Sequence, residues 1–424
     1  MQEDFLHYIW KHKKFDSKNL KTSNNEAIAI IANGQHNLNA GPDFFNGQVR
    51  INDQLWAGNI EIHLKSSDWF LHNHERDKAY DNVILHVVWE HDSEVFRKDN
   101  SVIPTLELKD YVSPSALKNY TKLFHSSQNW INCENDFATI DDFTNNNWLE
   151  RLYFERLERK SVEVLKLLED SKNNWEAVLF KMLAKNFGLK VNGDPFLSMA
   201  SSFDFSILRK TQSKIESIEA LLFGQSGLLN ETIEDAYYLQ LQKEYTFLIQ
   251  KFSLDNTLVV TPSFFRLRPS NFPTIRLSQL ANLYHKHQNL FSKLVEAESI
   301  EKIIEMLSVS ASEFWKTHYT FAKTSKASKK AITKSFIQLL IINTIIPLKF
   351  SYAKNRGKSS EEKIIGIMEQ MPSEKNSIID KFNALKKEVS NNALKSQALI
   401  QLKNEYCDKN QCLKCAIGNK LLNS

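Results

Sequence analysis

The chain has 424 residues, more than one hydrophobic core ordinarily serves, so two or three domains are expected. Its 42% hydrophobic and 25% charged residues exclude a disordered chain, and only 11 glycines and 9 prolines argue against a loop-rich all-β protein. Lysine plus arginine (54) only slightly exceed aspartate plus glutamate (50), a mild basicity that permits a nucleic-acid partner without requiring one.

The opening run MQEDFLHYIWKHKKFD is amphipathic and has no small-residue cleavage site, so it does not read as a secretory signal. A cytoplasmic protein with no membrane partner is expected. Phe5, Leu6 and Ile9 at helical spacing predict a first helix over residues 3–12. AIAIIANG, residues 27–34, reads as a strand ending in a turn. GQVRIND and LWAGNIEIHLK read as an antiparallel pair around Asn52-Asp53-Gln54. NVILHVVWEHD, residues 82–92, is a continuous apolar run of the kind expected for a central strand covered on both faces. TLELKD, residues 105–110, is a further strand. Residues 1–140 therefore read as an α/β domain built on a small mixed sheet.

The character changes after residue 141. NWLERLYFERLERKSVEVLKLLED has helical periodicity and many i,i+4 charge pairs. WEAVLFKMLAKNFG, IESIEALLFGQSGLL, EDAYYLQLQKEYTFLIQKF and IRLSQLANLYHKHQNLFSKLVEA follow as further helices, at no fixed period, which argues against a solenoid. The apolar run over residues 335–348 is too short to span a bilayer and reads as a buried core helix. Residues 141–424 are thus expected to form a large, irregular α-helical domain carrying a C-terminal cysteine cluster. The fold class is α+β.

The chemistry concentrates in GPDFFNGQVRINDQLWAGNIEIHLKSSDW. Alternate residues of a strand share a face, so Glu61, His63 and Lys65 point one way and Ile60, Ile62 and Leu64 the other. A Gly-Pro turn before the preceding strand can bring Asp43 beside Glu61. Two carboxylates aimed at one point call for a shared proton or a cation. Mg²⁺ or Mn²⁺ answers that need, and a cation there polarises a phosphoryl oxygen and lowers the pKa of an attacking water. His63 and Lys65 would then orient water or phosphate. The bland alternative is a turn-fixing aspartate and a solvated strand face. His72-x-His74, followed by Asp77 and by His86 on the next strand, is a weak signal for Zn²⁺ or Mn²⁺ ligation or for a cleft shared with Glu61. A polar loop explains it equally.

Cys407, Cys412 and Cys415 form C-x4-C-x2-C, and the chain's one other cysteine is Cys133. Together they supply four ligands, enough for tetrahedral Zn²⁺ or a 4Fe-4S cluster, against the reading of free thiols on a terminal helix. FFRLRPSNFPTIRLSQ places Arg266, Arg268 and Arg276 among prolines and phenylalanines, which suits phosphate contact and equally suits a structural loop.

Pro42-Asp43 before a hairpin, with Glu61 on the following strand, resembles the PD-(D/E)XK phosphodiesterase superfamily. That resemblance implies a restriction-endonuclease-like domain, a nuclease activity on DNA or RNA, and Asp43 and Glu61 as cation ligands. The superfamily's lysine position falls on His63, a departure that Lys65 would have to compensate. Its frequent acidic residue on the first helix would be Glu3. The longer string GPDF…GNIEIHLKSSDW…HNH…YDNVILHVVWEHD, with IEALLFGQSGLL, RLRPSNFPTIRLSQLA and the closing YC…C…C…G, resembles a bacterial family known only as a domain of unknown function. That second resemblance covers nearly the whole chain and implies a two-part architecture without an assigned activity. The leading expectation is a metal-dependent nucleic-acid phosphodiesterase. The alternative is a non-catalytic nucleic-acid-binding or scaffold protein on a degenerate nuclease fold.

Overall fold

A computed structural model describes residues 1–124 and 129–423, and the chain divides into two compact units. Residues 1–148, 384–387 and 401–424 form the first, and residues 149–383 and 388–400 the second. The protein is α+β, with a mixed sheet in the N-terminal part and a larger helical region. The expected boundary at 140/141 put the C-terminal tail in the helical domain. The tail instead belongs to the first unit, because Cys412 and Leu422 join its apolar core.

The sheet of the first unit follows the predicted strands closely. Helix α1 (Glu3–Lys11) precedes β1 (Ile28–Ala32), the short β2 (Gln35–His36), β3 (Phe44–Ile51) and β4 (Gln54–Lys65). A one-turn helix, α2 (Asp68–Leu71), and two 3₁₀ turns, His74–Arg76 and Lys78–Tyr80, then lead to β5 (Val83–Glu90) and β6 (Thr105–Glu107). Helix α3 (Pro114–Phe124) follows. The strand order is β1-β3-β4-β5-β6, with β2 also paired to β3. β1, β3 and β4 run antiparallel, whereas β5 lies parallel to β4 and β6 parallel to β5. The two-residue connection Asn52-Asp53 closes the β3–β4 hairpin with Asn52 at a φ of 50°, as tight hairpin turns require.

One face of this sheet is ordinary. Phe5, Leu6, Ile9 and Trp10 of α1 and Tyr120 and Leu123 of α3 cluster with Val49, Ile60, Ile62, Val87 and Leu106. On β4 the residues between these apolar positions, Glu61 and His63, are also buried, at 4% and 1% exposure. The strand is therefore covered on both sides, and its polar side must be satisfied from within. Gly58 permits the β4–β5 approach, since a Cβ there would stand 2.6 Å from Asn82 O and 2.5 Å from Ile84 Cγ2.

The second unit is helical apart from a two-stranded hairpin, His318–Thr320 with Lys323–Thr324. Its most apolar segment is longer than the sequence run suggested. Residues Lys334–Asn355 form one continuous helical stretch, long and apolar enough to cross a membrane by length and composition, with 67% of its apolar window buried. Pro347 has no N–H to offer the carbonyl one turn back, and the helix widens to a π turn over Ile341–Ile345 just before it.

Candidate metal centre

Asp43 and Glu61 meet through the register of the β3–β4 hairpin. β3 begins at Phe44, opposite Ile60, so the next N–H of β4 has no strand to pair with. Asp43 takes that place: its Oδ2 accepts from Ile62 N at 3.0 Å, and its own N–H donates to Glu61 Oε2 at 3.1 Å. The clasp depends on Asn37, whose Nδ2 donates to the carbonyls of Asn39, Ala40 and Pro42 at 3.0, 3.2 and 3.0 Å. One amide thus shapes the Gly-Pro-Asp turn. Sequence reasoning passed over Asn37, which carries no signal beyond its nearness to Gly41.

The other oxygen of Glu61 faces histidines. Oε1 lies 3.2 Å from His74 Nε2 and 3.5 Å from His63 Nε2, and His63 Nε2 lies 3.1 Å from His72 Nδ1. Ligand atoms of His63, His72 and His74 all fall within 4.8 Å of one another. Metal–nitrogen bonds of about 2.0–2.1 Å set the ligands of a tetrahedral ion about 3.3 Å apart, so this spacing suits a single cation. The loop after β4 places the rings. His74 stacks on Tyr80 at 3.8 Å between centroids and lies near-parallel to His63 at 5.3 Å. Trp69 and Tyr80 form the apolar floor with Val83, Val95 and Ile103. His74 Nε2 is buried, with Glu61 Oε1 as its polar neighbour.

The charge states favour ligation. Burial lowers the pKa of His63 to about 4, so its ring is neutral and has a lone pair to give. Behind it, His63 Nδ1 lies 2.8 Å from Nε2 of His86, which β5 places directly across from Glu61. Burial, then the neighbouring His63, holds His86 well below the usual imidazole range. Burial also pushes Glu61 up to about 7, with the Asp43 charge adding to it against the His74 contact. A buried acid so close to neutral pH is short of a cation.

A second group flanks the first. His7 Nε2, on α1, lies 3.2 Å from Asp43 Oδ2 and 3.6 Å from Glu3 Oε1. Burial acts to lower its pKa, yet the Asp43 and Glu3 carboxylates outweigh it and raise the ring to about 10. His7 is therefore an imidazolium at neutral pH, neutralising two acids where a metal would otherwise sit. It also lines a cavity of about 450 Å³ whose walls carry Lys11, His12, His36 and Lys414. His7 was not anticipated, although its place one helical turn after Glu3 was a usable signal.

The remaining candidates divide. Lys65 shares the face of Glu61 and His63 but is exposed, opposite Glu90 at the end of β4, and the position next to the carboxylates is filled by His63. Asp77 is exposed and caps the turn that follows it by accepting from Ala79 N at 2.9 Å. In the second unit Arg266 and Arg268 are exposed. Arg276 is not a surface group. It is 6% exposed, donates to Gln279 Oε1 at 2.9 Å and Asn271 Oδ1 at 2.6 Å, and lies 3.7 Å from the Phe336 ring centre.

Comparison of the chain with curated proteins and with solved structures returns no match. Residues 3–377 match the family model described as "Protein of unknown function (DUF2851)", and the chain belongs to that family.

Proposed function

We propose that the protein is a divalent-metal-dependent phosphodiesterase acting on nucleic acid. The observation that carries this reading is the convergence of Glu61 Oε1, His63 Nε2, His72 and His74 Nε2, with Asp43 clasped to the other Glu61 oxygen. Imidazole and carboxylate together suit Mn²⁺, Fe²⁺ or Zn²⁺ better than Mg²⁺. When bound, such an ion supplies Lewis acidity toward a phosphoryl oxygen and lowers the pKa of a coordinated water. Lys11 and Lys414 on the adjoining cavity wall draw in the phosphate by charge. His7, protonated between Asp43 and Glu3, is placed to give a proton to a leaving oxygen. Pro42-Asp43 and Glu61 keep the resemblance to PD-(D/E)XK enzymes, with histidine in the lysine position. Arg266 and Arg268 offer backbone contacts.

The test is cleavage of single- and double-stranded DNA and RNA with Mg²⁺, Mn²⁺ or Zn²⁺. The reading requires metal-dependent cleavage that Glu61→Gln and His74→Ala abolish while circular dichroism is unchanged. Salt-sensitive binding without cleavage would replace it with the nucleic-acid-binding reading. Turnover of small phosphoesters with no affinity for polymers would keep the chemistry and discard the substrate.

A further inference from the structure

All four cysteines of the chain lie in the first unit and line one cavity of about 10 Å³. Cys407 ends the π turn Leu402–Cys407, while Cys412 and Cys415 bracket a 3₁₀ turn. Cys133 comes from far earlier in the chain, and Asn132 beside it donates to Cys412 Sγ at 3.4 Å across 280 positions. The convergence is built. After Cys415 the chain folds back over Cys412 so closely that a Cβ on Gly418 would stand 2.1 Å from Cys412 O. Leu123, Leu402 and Ile417 supply the apolar wall.

The pocket gathers four cysteine side chains. None is in a disulfide, and Cys412 and Cys415 are 9% and 7% exposed. Backbone N–H groups of Gly418 and Ile417 point at the Cys415 sulfur, and the Asn132 amide at Cys412. Donors aimed at cysteinyl sulfurs are the contacts that stabilise a metal-bound thiolate.

The spacing selects the metal. Among the described residues, the groups with three or more ligand atoms within 4.8 Å of one another are His63, His72 and His74, and Glu3, His7 and Asp43; the cysteines are not among them. A single tetrahedral zinc with Zn–S bonds of about 2.3 Å would hold its sulfurs about 3.8 Å apart. No three of the four sulfurs therefore lie within 4.8 Å of one another, a wider set than one zinc holds and one that suits ligands bound to different irons.

We propose that Cys133, Cys407, Cys412 and Cys415 ligate a 4Fe-4S cluster that ties the C-terminal tail to the first unit. The full chain, purified without oxygen, should be brown and contain iron and acid-labile sulfide in equal amounts. Dithionite should bleach it, and the reduced protein should give an electron-paramagnetic-resonance signal. Cys407→Ser should lose the colour and the iron. If that variant does not fold, reconstitution of the metal-free wild-type chain with ferrous iron and sulfide, against zinc alone, decides the matter without it. Zinc that Cys407→Ser removes and His74→Ala retains, a metal-free yet folded protein, or a spectrum that survives Cys133→Ser combined with Cys407→Ser would overturn the proposal. Glu61→Gln should leave colour and acid-labile sulfide unchanged, so the two centres fail separately.

Discussion

Replacing His86 by leucine tests the proton arrangement behind the histidine cluster. His63 can offer Nε2 to a cation only when its proton sits on Nδ1, and the acceptor for that proton is His86 Nε2, 2.8 Å away. Both rings are essentially without solvent, at 1% and 0% exposure, so no water can replace the partner. Leucine removes the acceptor while leaving the apolar volume largely filled. It deletes His86 Nδ1, which is buried without a hydrogen bond, but orphans His63 Nδ1, so the metal-free protein should lose about 1–3 kcal/mol of stability and affinities are compared on folded protein. Loss of a partner that orients a ligating histidine costs roughly 10- to 100-fold in metal affinity, or about 1.4–2.7 kcal/mol. Titration calorimetry with Mn²⁺ and Zn²⁺ reads this directly. Thermal shift gives a second measure: at a metal concentration 100 times the wild-type Kd, linkage stabilises the wild type by about 2.7 kcal/mol and the variant by only about 0.4–1.4 kcal/mol. An unchanged Kd in a folded His86→Leu protein would refute the tautomer argument and demote the histidines to core residues.

Three further outcomes follow from the same geometry. Asn37→Ala should cost about 1–2 kcal/mol by freeing the Gly-Pro-Asp turn, and should weaken metal binding although Asn37 touches no ligand; chemical denaturation and calorimetry check both effects. Arg276→Met should destabilise the protein through its orphaned Asn271 and Gln279 partners, whereas Arg266→Ala with Arg268→Ala should change only polynucleotide affinity and its salt dependence. Glu219, wholly buried and accepting from Ser278 and Tyr237, has its pKa raised from the ordinary 4.5 by burial. Its stabilising contribution is therefore complete below that value and lost as pH rises through the folded pKa. Glu219→Gln, which does not titrate, should gain on the wild type by about 1.4 kcal/mol for each unit of displacement as urea midpoints are followed upward in pH.

Much of the first unit was legible because period-two alternation and the Asn52-Asp53 turn are local signals. They put Glu61 and His63 on one face and Asp43 at the head of the paired strand, and the register confirms both placements. What lay beyond them depended on partners that no spacing encodes. His86 faces Glu61 only because β5 pairs in parallel, after a crossover, with a shift between Asn59 and Ile60. His7 arrives on a helix packed over the sheet. Arg276 misled because the surrounding prolines and arginines look like a surface loop, while the residue itself lies on the buried helix Pro273–Lys286. The C-terminal tail misled for a related reason: its helical periodicity resembles that of the preceding helices, but Cys412 and Leu422 belong to the sheet's core.

The polar face of β4 also explains why the pair of acids need not act as the ligand set first expected. A cation between Asp43 and Glu61 would have to compete with the His7 imidazolium, which burial disfavours and two carboxylates hold in place. On the other side of Glu61 the His63 ring is neutral, and the ligand atoms of His63, His72 and His74 lie within 4.8 Å of one another. A cation entering there meets the neutral His63 ring and relieves a buried acid held near neutrality. Electrostatics therefore favours occupation of the histidine side first, leaving Asp43, His7 and Glu3 free to carry a proton toward the basic cavity. His7→Gln separates the two sites: it should leave first-metal affinity within about twofold, since it removes no ligand of the histidine cluster, while lowering kcat for cleavage by the roughly 10²–10⁴-fold typical of a lost general acid. A large loss of metal affinity in that variant, with kcat preserved at saturating metal, would place the cation on the Asp43 side instead.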